Sequence, residues 1–162
     1  MRTAIAFGLA ASVLATAAVA APAAESRYSS LAGCTVVESG EPEGQEWLLY
    51  RCKGVAGVTV WKLYQDSTRM LVAFGPRPTD GIAGFSSDRD DAWKVEWRGT
   101  GTGARFRPYA AILRMRPAGG EGTTLAVYRV WKDRPSCLLG QAADNSAARA
   151  LADAAATKAS CD

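Results

Sequence analysis

Five arginines stand in a stretch that holds no acid: Arg98, Arg105, Arg107, Arg114 and Arg116, with neither Asp nor Glu between Trp97 and Glu121. A guanidinium stays charged at any physiological pH. Its planar fork of donors matches carboxylate or phosphate. On an extended segment Arg114 and Arg116 point to one side, and Arg105 and Arg107 extend the pattern. The chemistry implied is recognition of an anion: an acidic protein, lipopolysaccharide, a wall polymer or a small anion. The plainer alternative is a solvated sheet face whose cations guard an edge.

Other residue sets carry weaker signals. Of the tryptophans, Trp93 and Trp97 share a face with Val95 and read as core. Trp61 and Trp131 are the surface candidates, since indole rings serve as sugar platforms and interface anchors. Glu38, Glu41, Glu43 and Glu46 surround a turn. Nothing sets two of them across a cleft as glycoside hydrolysis requires. Asp88, Asp90 and Asp91 lack the spacing and the distal glutamate of a calcium loop. Phe85 lies in a long segment, 75–92, of the kind that often forms a lid or contact loop.

The chain has no histidine. A Ser-His-Asp triad, a Cys-His pair and histidine-ligated zinc are therefore excluded. Acid–base chemistry would fall to Asp, Glu, Lys, Tyr or Ser. The expectation is a protein that is not an enzyme, with no catalytic residues, no metal site and no cofactor.

Four cysteines, Cys34, Cys52, Cys137 and Cys161, allow three pairings. Cys34–Cys52 and Cys137–Cys161 are expected, because each pair brackets one local unit. Each bridge is worth roughly 3 kcal/mol through its effect on the unfolded chain. No C-x-x-C is present, so redox exchange and zinc ribbons are disfavoured. Leu31-Ala32-Gly33-Cys34 has the letters of a lipoprotein box. Such a box directly follows an apolar run, and here a polar segment intervenes, so Cys34 is assigned to a disulfide.

These cysteines matter because the N-terminus directs export. Met1-Arg2, an apolar run from Ile5 to Val19 and Ala18-Val19-Ala20 make a charged start, a short apolar segment and an A-x-A cleavage site. The expected division is a signal peptide at 1–20, a leader segment at 21–33 and one domain at 34–162, working in the periplasm or outside the cell. The apolar run is too short and alanine-rich to span a bilayer, so no transmembrane span is expected in the mature chain. Apolar content of 48% and charged content of 22% suit a folded domain. The formal net charge of +3 falls by one with Arg2, too weak a balance for a nucleic-acid partner.

The elements that must position these groups read as strands. Thr35–Glu38 and Glu46–Cys52 flank a Gly/Pro/Glu turn. Val58–Gln65 and Thr68–Phe74 form a second hairpin. Trp93–Arg98 alternates cleanly, with Lys94, Glu96 and Arg98 opposite Trp93, Val95 and Trp97. Tyr109–Arg116 and Thr123–Lys132 follow, and 133–136 ends the sheet. An alanine-rich helix over about 145–160 is capped by Asp144 or Asn145 and packs through Ala147, Ala150, Leu151 and Ala154. The fold class is mainly β (α+β): a curved antiparallel sheet, small sandwich or barrel of about six or seven strands with one C-terminal helix.

The stretch Cys52-Lys53-Gly54-Val55-Ala56-Gly57-Val58-Thr59-Val60 resembles the first sheet of small secreted proteobacterial proteins that carry no assigned activity. A cysteine-tied N-terminal hairpin, a central strand with tryptophan and a late cysteine near a terminal helix recur in them. The resemblance implies location and architecture only. The chain is similar in kind to periplasmic lysozyme inhibitors, which are small, exported, disulfide-tied and β-rich, although no stretch matches their inhibitory loop. The functional expectation is an envelope module that binds a macromolecular partner, either an anionic envelope component or a periplasmic protein. Two alternatives stand beside it: a carrier of a small apolar or anionic ligand, and an inhibitor of a cell-wall enzyme.

Overall fold

Strand pairing divides the chain into two antiparallel meanders. The computed structural model describes residues 23–41, 46–65, 69–78, 87–88, 94–117 and 121–158. One sheet contains β2 (Thr35–Gly40), β3 (Trp47–Lys53), β4 (Thr59–Tyr64), β5 (Arg69–Phe74) and the two-residue β6 (Ser87–Asp88), in that order across the sheet. The other contains β7 (Lys94–Thr100), β8 (Arg107–Met115), β9 (Thr124–Arg129) and β10 (Cys137–Ala142). Its outer edge at β7 is taken by β1 (Glu25–Ser30), so the order is β1-β7-β8-β9-β10. The sheets pack face to face and do not close into a barrel. The helix α1 (Asn145–Ala154) lies on the outer face of the second sheet.

The alternation of apolar residues explains the sandwich. Val60, Tyr64, Val72 and Phe74 from the first sheet meet Val95, Trp97, Leu113 and Tyr128 from the second in one buried cluster. Phe74 stands edge-on to Trp97, with ring centroids 5.5 Å apart, and packs against Tyr128 at 5.3 Å. Such ring pairs add to the energy of area burial. Lys62 faces this core too. It is buried, donates to the Leu31 carbonyl at 3.3 Å and lies over the Tyr50 and Tyr64 rings. Between β3 and β4, the Val58 amide bonds the Val55 carbonyl, with Ala56 and Gly57 both at positive φ. This is the turn whose twist suits a tight hairpin.

Cys34 is bonded to Cys52, as expected, and ties β2 to β3. Its sulfur is thereby committed. Cys137 is disulfide-bonded as well. Its expected partner Cys161 lies outside the described residues, as do the signal-peptide segment 1–20, Trp93 and Phe85. No helix among the described residues is long and apolar enough to cross a membrane.

The structure corrects the sequence expectations in four places. Residues 21–33, read as a leader, contain β1, whose partner β7 lies far along the chain. The sheet does not end at Ser136, because β10 follows and pairs with β9. These additions raise the strand number above six or seven. The helix buries Ala148 and Ala152, and Leu151 packs against the same cluster as expected, while Ala147, Ala150 and Ala154 stay exposed. Alanine on every face of a helix leaves no apolar stripe from which to choose the buried side. Asp144 supplies the cap, accepting from the Ala147 amide at 2.9 Å.

Candidate functional site

The outer face of the second sheet carries the densest polar chemistry. On β7 the residues that point away from the core are Lys94, Glu96 and Arg98, as the alternation predicts. β1 adds Ser26 and Tyr28 on the same face, opposite Arg98 and Glu96 in register. The helix adds Arg149 and Asp153, the two charged residues of α1, one turn apart.

These groups form a continuous network. Arg98 donates to both Asp153 oxygens, Nε to Oδ1 at 3.0 Å and Nη2 to Oδ2 at 2.6 Å. Its Nη1 reaches Ser26 Oγ at 2.7 Å, and Ser26 donates onward to Glu96 Oε1 at 2.6 Å. Arg149 forks onto Glu96, Nε to Oε1 at 2.6 Å and Nη2 to Oε2 at 3.2 Å, and also reaches the Tyr28 hydroxyl. The Tyr109 hydroxyl donates to Asp153 Oδ1 at 2.6 Å. Burial works to raise the pKa of Glu96, but hydrogen bonds from Arg149 and Ser26 and the nearby guanidinium charges hold it below the ordinary range. Asp153 is likewise lowered: burial opposes, and the bonds from Arg98 and Tyr109 prevail. The Tyr109 phenol is pushed up to about 12, first by burial and then by its bond to Asp153. Both carboxylates thus stay ionised with their charges answered.

Beside this network lies a groove of 240 Å³ between the start of α1 and the sheet. Ile112 and Leu125 form an apolar floor. Tyr28 and Asn145 form walls, and Arg149 with Glu96 closes one end. Lys94 and Arg114 also line it. The register that sets Val95 opposite Leu113 makes Lys94 and Arg114 cross-strand neighbours on this face. Among the described residues neither takes part in an ion pair. Arg114 donates only to Thr123 Oγ1, at 3.3 Å. Glu96 is already neutralised by Arg149, so the groove presents two uncompensated cations over an apolar base.

The arginines of the acid-free stretch do not form one patch. Arg98 is buried in the network. Arg105 and Arg107 are exposed at the opposite end of β8, where Arg107 donates to the Ala104 and Phe106 carbonyls. That end is roughly 23 Å from Arg114 along an extended strand. Arg116 is exposed just beyond β8 and does not line the groove. Trp61 is not at the surface: it is 7% exposed, packed with Leu49 and Leu71 on the outer face of the first sheet, and bonded through Nε1 to the Gly75 carbonyl. Trp131 is half-buried and within 5.4 Å of the guanidiniums of Arg129 and Arg134. No group of three His, Cys, Asp or Glu able to hold a metal occurs among the described residues.

Sequence inspection missed Lys94, Glu96, Tyr28, Arg149 and Asp153 as partners. A signal was present: an alanine-rich helix with its two charges at i and i+4 must face something with both, and the Lys94-Glu96-Arg98 side of β7 supplies it. Arg129 was missed as well. It is buried, and it donates to the Tyr109 carbonyl at 2.9 Å and the Lys158 carbonyl at 2.9 Å, bonding chain just past α1 to the sheet. Comparison with protein-family models, curated proteins and solved structures finds no match for this chain.

Proposed function

We propose that this chain is an exported, non-enzymatic binding module that receives an anionic group of a macromolecular envelope partner in the groove between α1 and the outer face of the β7–β9 sheet. The observation that carries this reading is the placement of Lys94 beside Arg114. Like charges directly across a strand pair destabilise a sheet. An anion between them removes that repulsion, and Ile112, Leu125 and Tyr28 offer apolar contact to the atoms that bear it. The signal-peptide pattern at residues 1–20 supports export, and the Cys34–Cys52 bridge agrees with an oxidising compartment.

The test is calorimetric titration of the purified chain with dextran sulfate and with neutral dextran. The sulfated polymer binds and the neutral one does not. Lys94→Ser with Arg114→Ser abolishes binding. Arg105→Ser with Arg107→Ser removes the same charge from the far end of β8 and leaves binding near wild type. Equal losses in the two double variants would reduce the effect to net charge and sink the groove as the site.

A further inference from the structure

A second, larger recess of 620 Å³ lies on the other sheet, beside the Cys34–Cys52 bridge. Thr35 and Val37 of β2, Arg51 and Lys53 of β3 and Thr59 of β4 line it, with no carboxylate among its lining residues. It opens along β2, the edge strand of its sheet. Among the described residues no strand pairs with the outer edge of β2. Every residue from Thr35 to Ser39 is exposed, Val36 and Val37 at 44% and 47%. β2 carries no lysine or proline, its one charge, Glu38, is paired with Arg77, and its one irregularity, a bulge at Val37, turns that side chain toward the recess.

We propose that the outer edge of β2 is a docking strand for an extended acidic segment of a partner protein. A segment paired to β2 gains main-chain hydrogen bonds, and its alternate side chains fall on the recessed face. Successive side chains on that face repeat at about 7 Å, the spacing of Arg51 and Lys53 along β3. The added strand would lie about 10 Å from β3, two strand spacings, within the combined reach of an arginine or lysine and a glutamate. The intervening positions leave that path open. Opposite Arg51 stands Thr35, and two residues earlier, toward Lys53, stands Gly33, where an added Cβ would meet nothing within 4 Å. Two cations two residues apart, reached across small residues from an unpaired edge, fit a strand with acids at i and i+2. This site shares no residue with the groove beneath α1 and stands independently of it.

The test uses the isotopically labelled full chain, with blocked peptides of repeated Glu-Val and of repeated Lys-Val as probes, followed by amide chemical shifts and hydrogen exchange. The Glu-Val peptide shifts the amides of Thr35–Ser39 and slows their exchange, and the Lys-Val peptide does neither. Arg51→Glu with Lys53→Glu, both at exposed positions, weakens the Glu-Val peptide by about tenfold or more. Lys94→Ser with Arg114→Ser leaves that binding unchanged. Binding of the Glu-Val peptide without protection at β2 would overturn the proposal in favour of a bare anion pocket. Protection of β2 that grows with protein concentration in the absence of peptide would overturn it in favour of a second copy. Unchanged affinity in the charge-reversed variant would also overturn it.

Discussion

Arg98 on β7 and Asp153 on α1 form a two-point fork, and one helical turn earlier Arg149 forms the reverse fork with Glu96, two residues earlier on β7. Helix and strand each supply one acid and one base, in opposite order. The spacings match: one helical turn advances about 5.4 Å, and two strand residues advance about 6.7 Å. Sliding the helix by one turn would set Arg149 against Arg98. The exchanged charges therefore fix the register of α1, which its alanines do not.

Removing one partner exposes this role. Arg98 is nearly buried and Asp153 is 37% exposed, so the pair is partly screened. Arg98→Met is expected to lower the unfolding free energy by about 1–2 kcal/mol. Arg149→Met removes a guanidinium that is itself 41% exposed and leaves Glu96 its bond from Ser26, so it costs less. Urea denaturation of the two variants checks the order, and a smaller loss at Arg98 would contradict it.

The phenol of Tyr109 gives a pH dependence of definite sign. Its folded pKa, pushed up to about 12, lies above the ordinary value of about 10. A group whose folded pKa is raised contributes stability that is complete below the unfolded value and is lost as pH rises through the folded one. The domain is expected to weaken between about pH 10 and 12. Ultraviolet titration should show a late phenolate component that Tyr109→Phe diminishes, with a flatter alkaline stability profile. A variant with the wild-type profile would assign the effect elsewhere.

The Cys34–Cys52 bridge spans a sequence separation of 18 residues. Cross-linking a loop of that size restricts the unfolded chain by roughly 3 kcal/mol. Cys34→Ser with Cys52→Ser should lower stability by that order. It should also speed amide exchange around Leu31, the buried residue that seals the core at the crossing between sheets. Thermal unfolding and exchange rates measure the two effects separately.

Two glycines at positive φ are expected to respond differently to alanine. At Gly75, φ is +97° and a Cβ would stand 2.6 Å from the Arg134 carbonyl oxygen. At Gly103, φ is +54° and nothing lies within 4 Å. Gly103→Ala pays only left-handed backbone strain, about 1 kcal/mol. Gly75→Ala adds a clash with main chain and should cost clearly more. Denaturation midpoints of the two variants settle the comparison.

Much of the fold is legible because the core faces of the central strands are apolar, Lys62 on β4 excepted. β7 was read correctly down to the side on which Lys94, Glu96 and Arg98 stand. β1 was not legible, because Ser26 and Tyr28 on one face and Arg27 and Ser29 on the other are polar. They are satisfied only by distant residues, Trp97 donating to Ser29 and Arg27 lying over the Phe106 ring. The arginine stretch was half legible. Linear spacing identified Arg114, but its companion is Lys94, a cross-strand neighbour that no local pattern reveals. Trp61 is not legible as buried because its cover comes from neighbouring strands: Leu49 of β3 and Leu71 of β5 pack against it on the outer face of the sheet.

The crossing of β1 to the far sheet imposes an order of events on folding. Ser26 and Glu96, joined through a hydrogen bond, are 70 residues apart in sequence. The β2–β5 meander needs only local pairings, each closed as soon as its neighbour is available, whereas β1 must wait for β7. Long-range closures of this kind slow the final step of folding. Until then β7 presents a bare edge, so the interval before β1 arrives is the one in which the chain is most exposed to mispairing with its neighbours.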